Sequence, residues 1–200
     1  MSAPPRRESP AKEDIALLEP FERLGLDRIT LVRSAAEARE ACAALVDHPA
    51  WGFDTESRPT FQKHEVSDGP HTVQLATRQH AWVFQLHDPD CREQVAGLLA
   101  SNHHVKAGFG LGDDTRRIVA KLAIEPACVL ELNAVLRALG YRKDMGVKAA
   151  VAALFERRFI KSKKVATSNW ANAHLNEAQL IYAANDAWAA ARIYEALGLD

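Results

Sequence analysis

The strongest constraint on this chain is an alternation of strand-like and helix-like segments. Ile29–Val32, Trp51–Glu56, Thr72–Ala76, Ala81–Leu86, Val105–Phe109 and Cys128–Glu131 read as strands, the third and fourth as a hairpin-like pair. Ser34-Ala-Ala-Glu37 matches a capping box and opens a helix through about Val46. Helices follow near Cys91–Ala100 and Asp113–Leu122, and past the last strand near Leu132–Leu139, Val147–Phe155 and Glu177–Leu197. Asn176 is a plausible N-cap for the last, with Gln179 three residues on. This order predicts an α/β layered domain with a mixed sheet. Residues 15–200 are expected to form that one domain, with 15–27, interrupted by Pro20, as a short helical lead-in. The proline-rich, charged start, residues 1–14, reads as a disordered tail.

With 200 residues, 48% hydrophobic, the chain can bury a sizeable core. No apolar run approaches the roughly 18 residues of a membrane span, so no membrane contact is expected. The N-terminus lacks the apolar stretch of a secretory signal. Cys42, Cys91 and Cys128 form neither a disulfide framework nor a CxxC pair, which suits a reducing, cytoplasmic compartment. The eight histidines show no HExxH spacing, and His103–His104 reads as a loop pair. The net charge of −1 gives no bulk attraction for a polyanion, so any such site must be local.

Three acidic positions stand out. In the strand WGFDTE, Trp51, Phe53 and Thr55 point to one face and Asp54 and Glu56 to the other. Two carboxylates on one face of a core-flanked strand repel, and a divalent cation with oxygen ligands is one compensation. In the terminal helix, Tyr182 and Asp186 lie four apart on one face, extended by Ala178, Ala189 and Ile193. In KAGFGLGDDTRRI a strand meets a glycine-rich turn and a helix N-terminus. The loop lacks GK[ST], and Asp113 replaces the third glycine of GxGxxG, which argues against a nucleotide cradle. Asp114 shares a face with the inward Ile118 and Leu122, whereas Asp113 is expected to pair with Arg117 outside. Each signal alone also has a bland reading: a solvated strand face, a routine helix pair, acids complementing a helix dipole.

The ordered set resembles the DEDDy 3′→5′ exonucleases of the ribonuclease H-like fold, the group containing ribonuclease D and the exonuclease domain of the Werner-syndrome helicase. The matching motifs are Phe53–Glu56 (FDTE, with Arg58–Pro59 after it), GFGLGDD with Asp114, and Tyr182-Ala-Ala-Asn-Asp186. VQLAT and VFQL are similar to the family's second and third strands, and the resemblance covers roughly residues 29–197. Ser57 and a longer, polar Thr60–Gly69 loop depart from the pattern. The resemblance implies a ribonuclease H-like mixed sheet flanked by helices and two divalent metal ions, Mg²⁺ or Mn²⁺. It implies hydrolysis of DNA or RNA from the 3′ end to nucleoside 5′-monophosphates. Asp54 would bridge both ions, Glu56 and Asp186 would complete the site that activates water, and Asp114 would hold the second ion. Tyr182 would orient the water by hydrogen bond.

Thr55, between the two acids, and Arg157, Lys161, Lys163 and Lys164 of the basic stretch ERRFIKSKK are candidate nucleic-acid contacts, with Trp170 available for packing or stacking. The competing readings are an inactive nucleic-acid-binding module of the same fold and a carboxylate-metal phosphatase. The first leaves the retained acids without a purpose, and the second leaves Y-x-x-x-D unexplained.

Overall fold

The computed structural model describes residues 5–60, 65 and 67–199. A six-stranded sheet is built from β1 (Ile29–Val32), β2 (Ala50–Glu56), β3 (Thr72–Ala76), β4 (Ala81–Gln85), β5 (Val105–Gly108) and β6 (Val129–Glu131). Its spatial order is β1-β4-β3-β2-β5-β6. β2, β3 and β4 form an antiparallel meander, while β1 joins β4, β5 joins β2, and β6 joins β5 in parallel. The sheet is therefore mixed, as expected, and β2 lies inside it with neighbours on both sides.

Helices cover both faces. α2 (Ala35–Leu45), α3 (Pro89–Ala100) and α4 (Leu111–Leu122) surround a core containing Trp51, Phe53, Leu75 and Phe84. α5 (Leu132–Ala138), α6 (Val147–Phe155), the short α7 (Lys163–Ala166) and the long α8 (Glu177–Ala196) belong to the other side. α1 (Lys12–Leu17) precedes them all. Both expected capping boxes form. The Ser34 hydroxyl accepts from Glu37 N while Glu37 accepts from Ser34 N, and Asn176 and Gln179 reciprocate in the same way.

Several boundaries differ from expectation. α4 starts at Leu111, two residues early, because Gly110 takes the left-handed conformation (φ 71°) and ends the turn sooner. The Glu131 carboxylate accepts from Leu111 N at 3.0 Å and so supplies the cap that Gly110 cannot. Asp113 pairs with Arg116, not with Arg117, a one-turn i,i+3 contact. The lead-in helix lies upstream of its expected place. It stops at Leu17, Leu18 is extended, and Pro20 forms a parallel bridge with Arg158, as suits the bias against helix before a proline.

Residues 1–4 of the expected tail lie outside the described residues, as do 61–64 and 66 of the Thr60–Gly69 loop, but the rest of that tail is placed, with Arg7 bridging Tyr141 and α1 starting at Lys12. His103 and His104 lie in the loop before β5, and all three cysteines are free thiols. Among the described residues, no helix is long and apolar enough to cross a membrane.

Candidate active site

α8 lies directly on β2, and one residue makes that possible. A Cβ added to Gly52 would sit 1.9 Å from the Ala187 carbonyl oxygen and 2.5 Å from the Ala191 nitrogen. The facing side of α8 is small, with Ala183, Ala184, Ala187 and Ala190 all buried. Gly52 shares its strand face with Asp54 and Glu56, and Ala187 follows Asp186. The close approach therefore brings residues from the two ends of the domain together. Carboxylate oxygens of Asp54, Glu56 and Asp186 all lie within 4.8 Å of one another.

Such a cluster is costly when every group is charged. Burial, reinforced by the charge of Asp186, raises the Asp54 carboxyl well above its ordinary range. Burial, then Asp54 and Asp186, push Glu56 up to about 9. Asp186, only 6% exposed, is raised by burial to about 6 even though the Lys161 ammonium lies 2.5 Å from its Oδ2. The pair is asymmetric. Burial opposes the charge of Lys161, but Asp186 and Asp54 outweigh it and hold the ammonium above its usual range. When all three are ionised, one lysine offsets only part of their charge, and Asp186 Oδ1 is buried with no hydrogen-bond partner. An all-oxygen donor set, surplus negative charge and an orphaned carboxylate oxygen fit a hard divalent cation.

These shifts predict a pH effect on the metal-free protein. A carboxyl whose folded-state pKa is raised binds protons on folding, so the stability present at low pH is lost as pH rises through the folded value. For Glu56 the window runs from its ordinary value of 4.5 to about 9, and Asp186 adds to it up to about 6. In chelator, the melting temperature is expected to fall between about pH 5 and pH 9. Added Mg²⁺ or Mn²⁺ should raise it more at about pH 8 than at about pH 5, because protons compete for the ligands. A melting temperature that rises across that window in chelator contradicts this electrostatic picture.

Asp114, on the first turns of α4, is half-buried and accepts a hydrogen bond from the Thr55 hydroxyl. It lies outside the tight group of three, yet its charge raises both Asp54 and Glu56. Choosing it over Asp113 is consistent with this placement, since Asp113 is exposed beside Arg116. Tyr182 sits one turn before Asp186 with Lys161 Nζ 4.8 Å from its ring centroid. Burial, then the charge of Asp186, hold its phenol above the ordinary range, so it stays protonated at neutral pH.

Of the basic stretch, Lys161 alone reaches the carboxylates. Lys163 lines the adjoining cleft, Lys164 is exposed on α7, and Arg157 is exposed, donating to its neighbour Glu156 O. Trp170 is fully buried. Its ring packs on Tyr182 with centroids 5.8 Å apart, and Nε1 donates to Ala166 O. That leaves it the packing role and closes its faces to a base. Gln179 Nε2 donates to Ser168 Oγ and Asn169 O, which fastens the Trp170 segment to α8.

Asn185, next to Asp186, is not among the residues singled out from the sequence. It is buried, and its amide exchanges hydrogen bonds with both backbone groups of Leu24. A polar residue inside an otherwise apolar helical face was the available hint.

The chain is similar to known nucleases. A family model described as 3′-5′ exonuclease matches residues 29–200. The mouse bifunctional 3′-5′ exonuclease/ATP-dependent helicase WRN is 26% identical over 156 residues, 77% of this chain and 11% of that protein. A 3′-5′ exonuclease of Arabidopsis thaliana is 25% identical over 148 residues, covering 73% of this chain and 51% of that one. The chain thus spans about half or less of these two relatives. The crystal structure of Trypanosoma brucei RNase D in complex with RNA U12 superposes with a TM-score of 0.74 at 18% identity, over 92% of this chain and 64% of that one.

Proposed function

Because this chain belongs to the 3′-5′ exonuclease family, we propose that it hydrolyses terminal phosphodiester bonds of nucleic acid at a site where Asp54, Glu56, Asp114 and Asp186 would hold divalent ions, Mg²⁺ or Mn²⁺. The observation carrying this reading is the meeting of three carboxylates within 4.8 Å where α8 crosses β2, with Asp186 Oδ1 otherwise unpartnered.

A bound divalent ion supplies Lewis acidity and makes water acidic enough to attack at neutral pH. The chain's own residues do the rest. Asp54 and Glu56, fixed by the strand, and Asp186, fixed by the helix, present oxygens from two rigid elements. Thr55 holds Asp114 by its hydrogen bond, orienting the fourth carboxylate. Tyr182 keeps its proton and acts as a hydrogen-bond donor toward the attacking water or the phosphate, not as a base. Lys161 neutralises part of the cluster's charge, lowering the repulsion that an approaching phosphate meets. In the reaction, water oxygen bonds to phosphorus, the bond from phosphorus to the 3′ oxygen breaks, and that oxygen takes up a proton. The mononucleotide leaves with its 5′-phosphate and the strand keeps a 3′-hydroxyl.

Tyr182→Phe removes only the phenolic donor from a ring already packed on Trp170. It is expected to lower kcat about ten- to hundredfold, the scale of one hydrogen bond to a charged group, with little change in melting temperature. Unchanged kcat would remove the hydroxyl from the mechanism.

RNA is the favoured substrate class by analogy with the RNA-bound RNase D neighbour. The test is a parallel time course on matched single-stranded RNA, single-stranded DNA and a recessed duplex, with Mg²⁺ or Mn²⁺ and then chelator. Faster loss of RNA supports the preference, whereas equal or faster loss of DNA reverses it.

A further inference from the structure

Asp54 and Asp186 open into a cavity of about 840 Å³, and part of its lining comes from the N-terminal segment. Pro10, Lys12, Ile15 and Ala16 line the same cavity as the two carboxylates. The segment is fastened on both sides of this lining. Upstream, Arg7 N donates to Gly140 O at 3.0 Å, and the Arg7 guanidinium lies 5.8 Å from the Tyr141 ring centroid. Downstream, Arg158 Nη1 donates to Ala16 O at 2.8 Å, while the Arg158 backbone pairs with Glu19 O and Phe21 N. Phe21 then packs against Phe155, Phe159 and Trp188.

Core packing does not account for α1. It contributes no buried residue, and a six-residue helix is marginal alone. What it does contribute is cavity wall: the half-buried Pro10 and Ile15 are apolar, and Lys12 is an exposed cation. Lys12 joins Lys148, Arg158, Lys161 and Lys163 around the cavity, where Asp54 and Asp186 are the acids among the described lining residues. Positive charge surrounding an acidic end suits a polyanion whose scissile phosphate meets the carboxylates. The volume falls within the roughly 300–1,000 Å³ of pockets for single small ligands, room for a terminal nucleotide or two but not for a duplex.

We propose that residues 7–17 are a strap forming the outer wall of the substrate cleft, restricting it to an unpaired 3′ end. Lys12 contacts a backbone phosphate, and Pro10 and Ile15 pack against a base. This rests on the exonuclease reading above and adds the selection of single strands.

The test compares the intact chain with one beginning at Leu18, and with Lys12→Glu and Ile15→Asp in the full chain. Folding is checked by circular dichroism. The shortened chain should lose about tenfold in kcat/KM on a single strand, as for one lost contact set, and its preference for a single strand over a blunt duplex should narrow. Lys12→Glu should weaken single-strand binding and lower the slope of log affinity against log salt by about one. If the shortened chain does not fold, the two point variants decide, since neither side chain is part of the core. Variants that keep the single-strand KM, the salt slope and the duplex discrimination of the intact chain overturn the strap and leave the exonuclease reading standing. An intact chain that hydrolyses no 3′ end removes the reading on which the strap rests.

Discussion

Asp54→Ala should reduce hydrolysis by roughly three orders of magnitude or more, the scale set by removing a principal electrostatic element of an active site. The folded state should survive, and in chelator the variant should melt at a higher temperature than the parent. Both effects have one cause. Burial and the charges of Asp186 and Asp114 raise Asp54 well above its ordinary range, so removing it relieves repulsion that Lys161 offsets only in part. The same change should nearly abolish the increase in melting temperature caused by Mg²⁺ or Mn²⁺. A variant that loses activity but also loses stability in chelator would mean that Asp54 is a structural residue, and the site would have to be redrawn.

Gly52→Val should be the most damaging single change outside the carboxylates. The first added carbon already falls 1.9 Å from the Ala187 carbonyl oxygen, a backbone atom of a helix that cannot rotate away. Overpacking of this kind costs about 1–3 kcal/mol or more, because backbone must shift. The shift would lift α8 from β2 and separate Asp186 from Asp54 and Glu56. Activity should therefore fall by about a hundredfold or more, beyond what the population of folded protein explains, since misplacing a reacting group by about 1 Å can cost that much. Gly97→Ala is the matched control. Gly97 lies in α3 and an added Cβ meets nothing within 4 Å. If Gly52→Val melts and turns over like Gly97→Ala, the close approach of α8 does not position the site.

The elements were legible because local chemistry announced them. β1 and β3 fall on their expected residues, β2 within one, and both capping boxes form. Strand alternation separated Asp54 and Glu56 from Trp51 and Phe53, and the latter two are core. Helical spacing put Asp114 on the side of buried Ile118, while Asp113 is exposed.

What stayed hidden was long-range. Lys161 sat in a charge run indistinguishable from a solvated helix end, and only the packing of its loop beside α8 brings its ammonium to Asp186. Trp170 offered both packing and stacking until burial against Tyr182 left the first. Asp113 had two arginines within a turn, and the ion pair forms with Arg116. Gly52 carried no local signal, because the reason for it lies in a helix 135 residues on, at Ala187. The pairing of Pro20 with Arg158, which anchors the segment after α1, joins residues too far apart for a local pattern to show.

The most direct test is a product analysis on a 5′-labelled single strand, with the released fragments identified by mass. The account predicts a ladder shortening from the 3′ end, nucleoside 5′-monophosphates as the small product, dependence on added Mg²⁺ or Mn²⁺, and silence in Asp54→Ala. Internal cuts, 3′-phosphate products, or undiminished hydrolysis by Asp54→Ala would contradict it.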